Sequence, residues 1–248
     1  KSILTRKSGL FLLSYIDVEG RQTVRKAIAD YLNSTRGLQT SYENIMVTRG
    51  AQMAMFMLAS ILISKGDLVI TGDISFRYAD LTFMHAGAKL VRVKVDEEGI
   101  DADELEKLCM RKKIRALYIT SHHHYPTTVT LSASRRMKII HLAEKYKFII
   151  IEDDYDYEFH YESSPILPLA SVDRHGMVVY IGSFSKTITP AVRMGYVAAP
   201  PNLVQEMAKL RQLIDAQGDP VMEEAVAELL NEGEIRRQMK KAVKIYKE

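Results

Sequence analysis

Met177-Val178-Val179-Tyr180-Ile181 is an unbroken apolar run that lies between Gly176 and Gly182, and Ser183-Phe184-Ser185-Lys186 follows it. A short apolar run between glycines predicts a buried strand. Lys186 then lies at the mouth of that strand, where a lysine is costly unless it has a partner or can lose its charge. The strand and this lysine together predict a site at one end of a sheet.

Strand and helix patterns alternate along the remainder of the chain. Apolar runs predict seven strands, at residues 45–48, 68–71, 89–95, 116–120, 148–151, 178–181 and 194–199. Helical periodicity marks residues 21–32, 53–63, 78–85, 103–110, 134–145 and the region from residue 202 onward. Such alternation predicts an α/β fold with a mostly parallel, seven-stranded sheet and helices on both faces. We therefore expect residues 1–248 to form one large domain.

Composition excludes some classes of protein. With 47% hydrophobic and 26% charged residues, the chain can bury a sizeable core. Its formal net charge is +3 and its basic residues are scattered, which argues against a nucleic-acid surface in this segment. Cys109 is the single cysteine, which excludes an internal disulfide and favours a reducing compartment, the cytoplasm. The most apolar helix candidate, residues 53–63, is too short to cross a membrane.

The chemistry around Lys186 favours a cofactor with a phosphate and a carbonyl. Ser183, Ser185 and Arg193 supply two hydroxyls and a guanidinium, the groups that hold a phosphate. A desolvated lysine next to cationic groups has a lowered pKa, and its free amine can form a Schiff base with a carbonyl. These residues predict that Lys186 carries pyridoxal phosphate. The alternative is an exposed lysine in a Ser-rich turn.

A second buried strand runs directly into Glu152-Asp153-Asp154-Tyr155-Asp156. A carboxylate at such a position needs a cationic partner or takes up a proton. A protonated pyridine nitrogen would be such a partner for Asp153 and would stay able to accept electrons from a substrate. Tyr155 would then bind the phenolic oxygen of the ring, and Phe76 could stack on it. The alternatives are an acidic capping loop and a core aromatic residue.

The strand at residues 45–48 leads into Arg49-Gly50-Ala51-Gln52 and an apolar helix. Such a junction presents free backbone N–H groups at a helix N-terminus, which is a natural phosphate site. Most junctions of this kind only turn the chain. Ligands on mostly parallel sheets lie beyond the carboxyl ends of the strands, and Gly50, Asp153 and Ser183 all fall there.

Asp154-Tyr155-Asp156 also fits the D-x-D metal clamp of a sugar-nucleotide transferase. The three consecutive histidines His122-His123-His124 raise the same alternative. Adjacent residues point in different directions, however, and rarely bind one ion together. We therefore predict a site without a metal.

With these motifs in place, the sequence resembles the aspartate-aminotransferase-like, fold-type-I family of pyridoxal-phosphate proteins. It is most similar to the aminotransferase-like domain of the MocR group of GntR-type transcription regulators. The motifs that carry this resemblance are Ile151 to Phe159, which lacks the proline usual before the tyrosine, and Ser183 to Lys186 with Arg193. The segment Tyr125-Pro126-Thr127 resembles the regulators' counterpart of an Asn-Pro-Thr-Gly motif.

The resemblance implies a role for each matching residue. Lys186, Asp153 and Tyr155 would be the catalytic residues. The residues that the resemblance places around the cofactor are Lys186, Asp153, Tyr155, Ala51, Gln52, Phe76, Ser183, Ser185, Arg193, Tyr15 and His123. Tyr15 would reach the phosphate in the partner subunit, which implies a homodimer. Thr128 in place of Gly, His122 in place of Ser and Ile74 in place of Pro depart from the family pattern.

Two functions follow from the resemblance. One is an effector-sensing domain that binds pyridoxal phosphate and a small amino compound and relays the change to a DNA-binding domain. The other is an aminotransferase that acts on an amino acid and a 2-oxo acid. The chain starts without Met and stops at Glu248 inside a charged helical pattern, so we expect a fragment. The regulators' N-terminal DNA-binding domain and the family's small C-terminal domain are expected outside it.

Overall fold

The sheet is the centre of the fold in the computed structural model, which describes residues 14–160 and 166–247. Its strands are β1 (Ile45–Thr48), β2 (Leu68–Gly72), β3 (Lys89–Val93), β6 (Ile114–Ile119), β7 (Ile149–Asp154), β8 (Val178–Ser183) and β9 (Gly195–Ala198). A separate antiparallel pair is formed by β4 (Val95–Asp96) and β5 (Gly99–Ile100).

One helix of the described residues precedes β1, four lie in connections between strands, and three follow β9. They are α1 (Gln22–Arg36), α2 (Ala51–Leu62), α3 (Arg77–His85), α4 (Ala102–Arg111), α5 (Ala133–Tyr146), α6 (Pro201–Gln212), α7 (Pro220–Asn231) and α8 (Glu234–Lys247). Short 3-10 turns occupy Tyr42–Asn44, Leu169–Ser171 and Pro190–Val192. None of the helices in the described ranges is long and apolar enough to cross a membrane.

The strand order is β1-β9-β8-β7-β6-β2-β3. Strands β3, β2, β6, β7 and β8 pair in parallel, whereas β9 runs antiparallel to both β8 and β1. The predicted seven-stranded, mostly parallel sheet is therefore confirmed. The parallel strands all end at the same edge of the sheet, where ligands bind in folds of this kind.

Neighbouring residues on the central strands belong to different cores, as expected for strands that are buried on both faces. On β7, Ile151 packs in the cluster that contains Met55 and Met57 of α2. Ile150 packs on the opposite face with Leu105 of α4 and Ile139 of α5. This confirms the prediction of helices on both faces.

Some strand and helix boundaries differ by a few residues from the predicted ones, because tertiary contacts compete with the local sequence pattern. The predicted strand 89–95 is interrupted at Lys94, whose carbonyl accepts a hydrogen bond from the Asp101 N–H. Val95 and Asp96 then pair with β5 instead of continuing along the main sheet. Helix α1 ends as predicted at Gly37, which has a left-handed φ of 66°.

Candidate functional site

A cavity of about 390 Å³ opens at the carboxyl ends of the parallel strands. Strand β7 contributes Asp153, β8 contributes Ser183, and α2 contributes its first turn. The lining residues are Ala51, Gln52, Met55, Phe76, Tyr118, Thr120, Tyr125, Asp153, Tyr155, Ser183, Ser185, Lys186 and Arg193. The place of the cavity agrees with the rule that doubly covered α/β sheets bind ligands beyond their strand ends.

Most of the predicted site residues meet in this cavity. The nine that line it are Ala51, Gln52, Phe76, Asp153, Tyr155, Ser183, Ser185, Lys186 and Arg193. The two that do not are Tyr15, which is 92% exposed, and His123. The nine come from five separate stretches of chain, so their convergence is a product of the fold.

Asp153 is a buried carboxyl of which one oxygen is hydrogen-bonded within the described residues and the other is not. Its Oδ2 accepts a hydrogen bond of 2.9 Å from the Tyr118 hydroxyl. Its Oδ1 is buried and has no hydrogen-bond partner among the described residues. Burial raises the pKa of this carboxyl to about 6. Because buried polar atoms are normally paired, the free oxygen fits a cationic donor that enters the cavity.

Tyr155 follows two residues later and is half-buried. Its hydroxyl donates a 3.2 Å hydrogen bond to the backbone carbonyl of His123, and burial raises the pKa of this hydroxyl. The ring Nδ1 of His123 lies 2.9 Å from Asp156 Oδ2, and this hydrogen bond raises the pKa of His123. His123 is not among the residues that line the cavity; its side chain binds Asp156 and its carbonyl accepts the hydrogen bond from Tyr155, so its contact with a cofactor stays a prediction.

Another part of the cavity lining, with Arg193, Ser183, Ser185 and the start of α2, is rich in groups that bind anions. Arg193 has a left-handed φ of 46°, and its Nη2 lies 3.4 Å from the Arg49 carbonyl oxygen, to which it donates a hydrogen bond. The guanidinium lies over Gly50, where an added Cβ would come within 3.4 Å of Nη2. Ser183 Oγ accepts a 3.2 Å hydrogen bond from the Ser185 N–H. Since the first N–H groups of α2 also lack intrahelical partners, this part of the lining suits a phosphate.

Lys186 also lines the cavity. It is exposed and makes no hydrogen bond or ion pair with any of the described residues. The expectation of a desolvated lysine is therefore not met in the chain alone. An amine without a partner at the cavity wall remains available to a carbonyl compound that enters it.

Phe76 lies at the rim of the cavity with two other aromatic residues. Its ring meets Tyr125 at 5.3 Å and 78°, and Tyr78 at 5.6 Å and 61°, both edge to face. The stacking of Phe76 on a cofactor ring stays a prediction.

Four residues of the lining have no predicted site role: Met55, Tyr118, Thr120 and Tyr125. Tyr118 and Thr120 are two positions apart along a predicted strand, so they lie on one face of it. Because side chains alternate between the two faces of a strand, this spacing together with the strand order would have predicted that Tyr118 and Thr120 both face the cavity. Met55 is a core residue, as expected, and its side chain also reaches the cavity.

The D-x-D carboxylates point in different directions. Asp154 Oδ2 accepts a 2.6 Å hydrogen bond from Tyr180, whereas Asp156 binds His123. Within residues 14–160 and 166–247, no group of three His, Cys, Asp or Glu side chains could hold a metal ion. Thr128, which stands where the family pattern has Gly, adopts a left-handed φ of 63°. This conformation is one that Gly adopts without steric cost.

Comparison with known proteins identifies the family to which this fold and this cavity belong. The family model for aminotransferase class I and II matches residues 7–248. The probable rhizopine catabolism regulatory protein MocR of Rhizobium meliloti is 27% identical over 96% of this chain and 47% of its own length. Aromatic-amino-acid aminotransferase 1 of Thermococcus litoralis is 27% identical over 95% of this chain and 58% of its own.

Solved structures have the same fold. The multiple substrate aminotransferase of Thermococcus profundus superposes with a TM-score of 0.94 at 26% identity, over 99% of this chain and 62% of that one. The chain thus spans about half the length of the curated relatives it matches. Regulators and aminotransferases both occur among those relatives, and the family implies pyridoxal phosphate as cofactor. The chain belongs to the class I and II aminotransferase family, the fold-type-I pyridoxal-phosphate proteins.

Proposed function

We propose that this chain is the pyridoxal-phosphate-binding, effector-sensing domain of a MocR-type transcription regulator. The observation that carries the cofactor assignment is the buried Oδ1 of Asp153, which has no hydrogen-bond partner in the described part of the chain and lies in a cavity that Lys186 and Arg193 also line. The match to MocR of Rhizobium meliloti, a regulatory protein, supports the sensory role. DNA would be bound through a domain outside this chain, and the effector would be a small amino compound.

The second candidate is an aminotransferase that acts on an amino acid and a 2-oxo acid. The match to the Thermococcus litoralis aminotransferase, at the same 27% identity, supports it. In this function Lys186 would also accept the proton from the α-carbon of the amino compound and return it to the product. The cofactor site is the same for both candidates.

Each part of the cofactor has a partner of suitable chemistry. Asp153 would accept a charge-assisted hydrogen bond from the protonated ring nitrogen, and Tyr155 would bind the phenolic oxygen. Phe76 would cover the ring. The phosphate would be held by Ala51, Gln52, Ser183, Ser185 and Arg193. When bound, pyridoxal phosphate supplies an electron sink for bonds at the α-carbon of an amino compound.

We also propose a homodimer. Tyr15 is 92% exposed and does not line this chain's cavity, as expected for a side chain that reaches the phosphate of a second subunit. The proposed compartment is the cytoplasm.

The test is an absorbance spectrum of the purified full chain with added pyridoxal phosphate, before and after borohydride. We expect a near-visible band that borohydride removes, and a peptide with phosphopyridoxyl attached at Lys186 by mass spectrometry. Lys186→Ala should abolish both, whereas Lys65→Ala, a change at another exposed lysine, should abolish neither. A band that persists in Lys186→Ala would show that the cofactor is attached elsewhere.

A second experiment separates the two candidate functions. Steady conversion of an amino donor and a 2-oxo acid would favour the aminotransferase. A single half-reaction without turnover, together with a change in DNA binding by the full protein when amino compounds are added, would favour the sensor.

A further inference from the structure

Arg36 is a buried charge outside the cavity. It is the last residue of α1 and is 2% exposed. Its Nε donates a 2.7 Å hydrogen bond to the Tyr180 hydroxyl, and its Nη2 forms an ion pair with Glu158. The guanidinium also lies 4.5 Å from the centre of the Tyr157 ring. A buried arginine with this many directed partners holds those partners in fixed positions relative to α1.

Two of the polar partners of Arg36, Tyr180 and Glu158, connect it to the two ends of one short segment, residues 154–158. Tyr180 connects Arg36 to Asp154, because its hydroxyl also donates a 2.6 Å hydrogen bond to Asp154 Oδ2. Glu158 is four residues further along the chain. One guanidinium therefore fixes both ends of the segment 154–158. Tyr155 lies inside that segment, and Asp153 directly precedes it.

Neither Asp153 nor Tyr155 is strongly held by its own side-chain contacts. Among the described residues, the side chain of Asp153 has one hydrogen bond, from Tyr118, and that of Tyr155 has one, of 3.2 Å, to the carbonyl of His123. The backbone that bears them is held from the other side, by Tyr180 and Arg36. Binding sites need their contact groups within a fraction of an ångström, and supporting residues supply that precision.

We infer that Arg36 is a positioning residue for the cofactor site. Through Tyr180 and Glu158 it holds the segment 154–158 so that Asp153 and Tyr155 present their oxygens to the cavity. The inference rests on the proposed binding of pyridoxal phosphate. The competing explanation is that the ion pair only stabilises the fold.

Two tyrosines offer a matched pair of variants. Tyr180 connects Arg36 to Asp154, beside the cavity. Tyr31 donates a 2.6 Å hydrogen bond to Glu158 Oε1 at the far side of the same network. Tyr180→Phe and Tyr31→Phe each remove one buried hydroxyl without removing a charge, so both variants should fold. Only Tyr180→Phe breaks the connection to Asp154.

The experiment measures the affinity of the full chain for pyridoxal phosphate and the pH titration of the visible band. Tyr180→Phe removes both the hydrogen bond from Arg36 and the one to Asp154, and we expect the loss of the bond to Asp154 to weaken binding about tenfold. A hydroxyl that donates to the phenolic oxygen favours the unprotonated chromophore, so a misplaced Tyr155 should raise the apparent pKa of the band. Tyr31→Phe should keep the parental pH profile and an affinity within about twofold of the parent.

Glu158→Gln keeps the shape of the side chain and removes its charge. Like Tyr180→Phe, it should weaken binding of pyridoxal phosphate and raise the apparent pKa of the band. Equal effects of the two tyrosine variants, or no effect of Tyr180→Phe on either readout, would overturn the positioning role. Absence of the band in the parent chain would instead refute the proposed function, and the inference with it.

Discussion

Asp153 and Asp154 are consecutive carboxyls at the end of β7, and their side chains lie in different surroundings. Asp153 lines the cavity and keeps one oxygen free of partners in the described part of the chain. Asp154 faces the other side of the strand and binds Tyr180 near Arg36. Burial raises the pKa of both carboxyls, to about 6 for Asp153 and about 7 for Asp154. Side-chain alternation along the strand thus assigns one carboxyl to the ligand and one to the fold.

The first prediction concerns Asp153. Asp153→Asn should weaken binding of pyridoxal phosphate by about ten- to a hundredfold, because a charge-assisted hydrogen bond contributes about 1.5–3 kcal/mol. The measurement is a titration of the visible band. Asp73→Asn is the control, since Asp73 follows the end of β2 but does not line the cavity. Equal losses in the two variants would contradict a specific contact to the ring nitrogen.

At the scale of the element, β8 and β9 must pack closely for the site to form. Gly182 of β8 lies opposite Tyr196 of β9, and an added Cβ at Gly182 would overlap the Tyr196 ring. Tyr196 is 2% exposed and stacks on Tyr180, so it has little room to move. The glycine therefore lets β8 carry Ser183 to the cavity edge at the spacing that the sheet requires.

The second prediction follows from that close approach. Gly182→Ala should lower the free energy of unfolding by about 1–3 kcal/mol, the usual effect of overpacking a core. Urea unfolding, followed by circular dichroism, measures the change. In a Tyr196→Leu background the loss should be smaller, because the clashing ring is absent. The same loss in both backgrounds would place the cause elsewhere.

At the scale of the whole molecule, the edge of the sheet holds the buried carboxyls of Asp153 and Asp154, and burial raises the pKa of both. A carboxyl whose pKa is higher in the folded than in the unfolded chain contributes stability at low pH, and that contribution is lost as the pH rises. For Asp153 and Asp154 the loss occurs between about pH 4, the unfolded value, and about pH 7. We therefore expect the cofactor-free protein to lose stability as the pH rises towards neutral.

The third prediction is a pH dependence of stability. The free energy of unfolding of Asp154→Asn should fall less than that of the parent between about pH 5 and about pH 8, by roughly 1–3 kcal/mol. Urea titrations of both cofactor-free chains at a series of pH values measure this difference. Parallel pH profiles would show that Asp154 titrates normally in the folded chain.

The fourth prediction concerns ligand addition. Pyridoxal phosphate at about a hundred times its Kd should stabilise the full chain by about 2.7 kcal/mol and raise Tm by roughly 5–10 °C. Thermal unfolding with and without the cofactor measures the shift. Lys186→Ala should show a smaller shift at the same concentration. An unchanged Tm in the parent would contradict binding to the folded state.

The class of the fold is predictable from the amino-acid sequence, since apolar runs and helical periods report burial locally along the chain. The sequence also indicated most of the cavity, because Asp153, Tyr155, Ser183 and Lys186 directly follow recognisable strands. The groups that support these residues become visible in the folded chain alone. Arg36 and Tyr180 are 144 residues apart, and no local pattern joins them. Likewise, the turn of His123 toward Asp156 and the exposure of Lys186 depend on neighbours that folding brings together, because side-chain contacts across strands are set by register and packing.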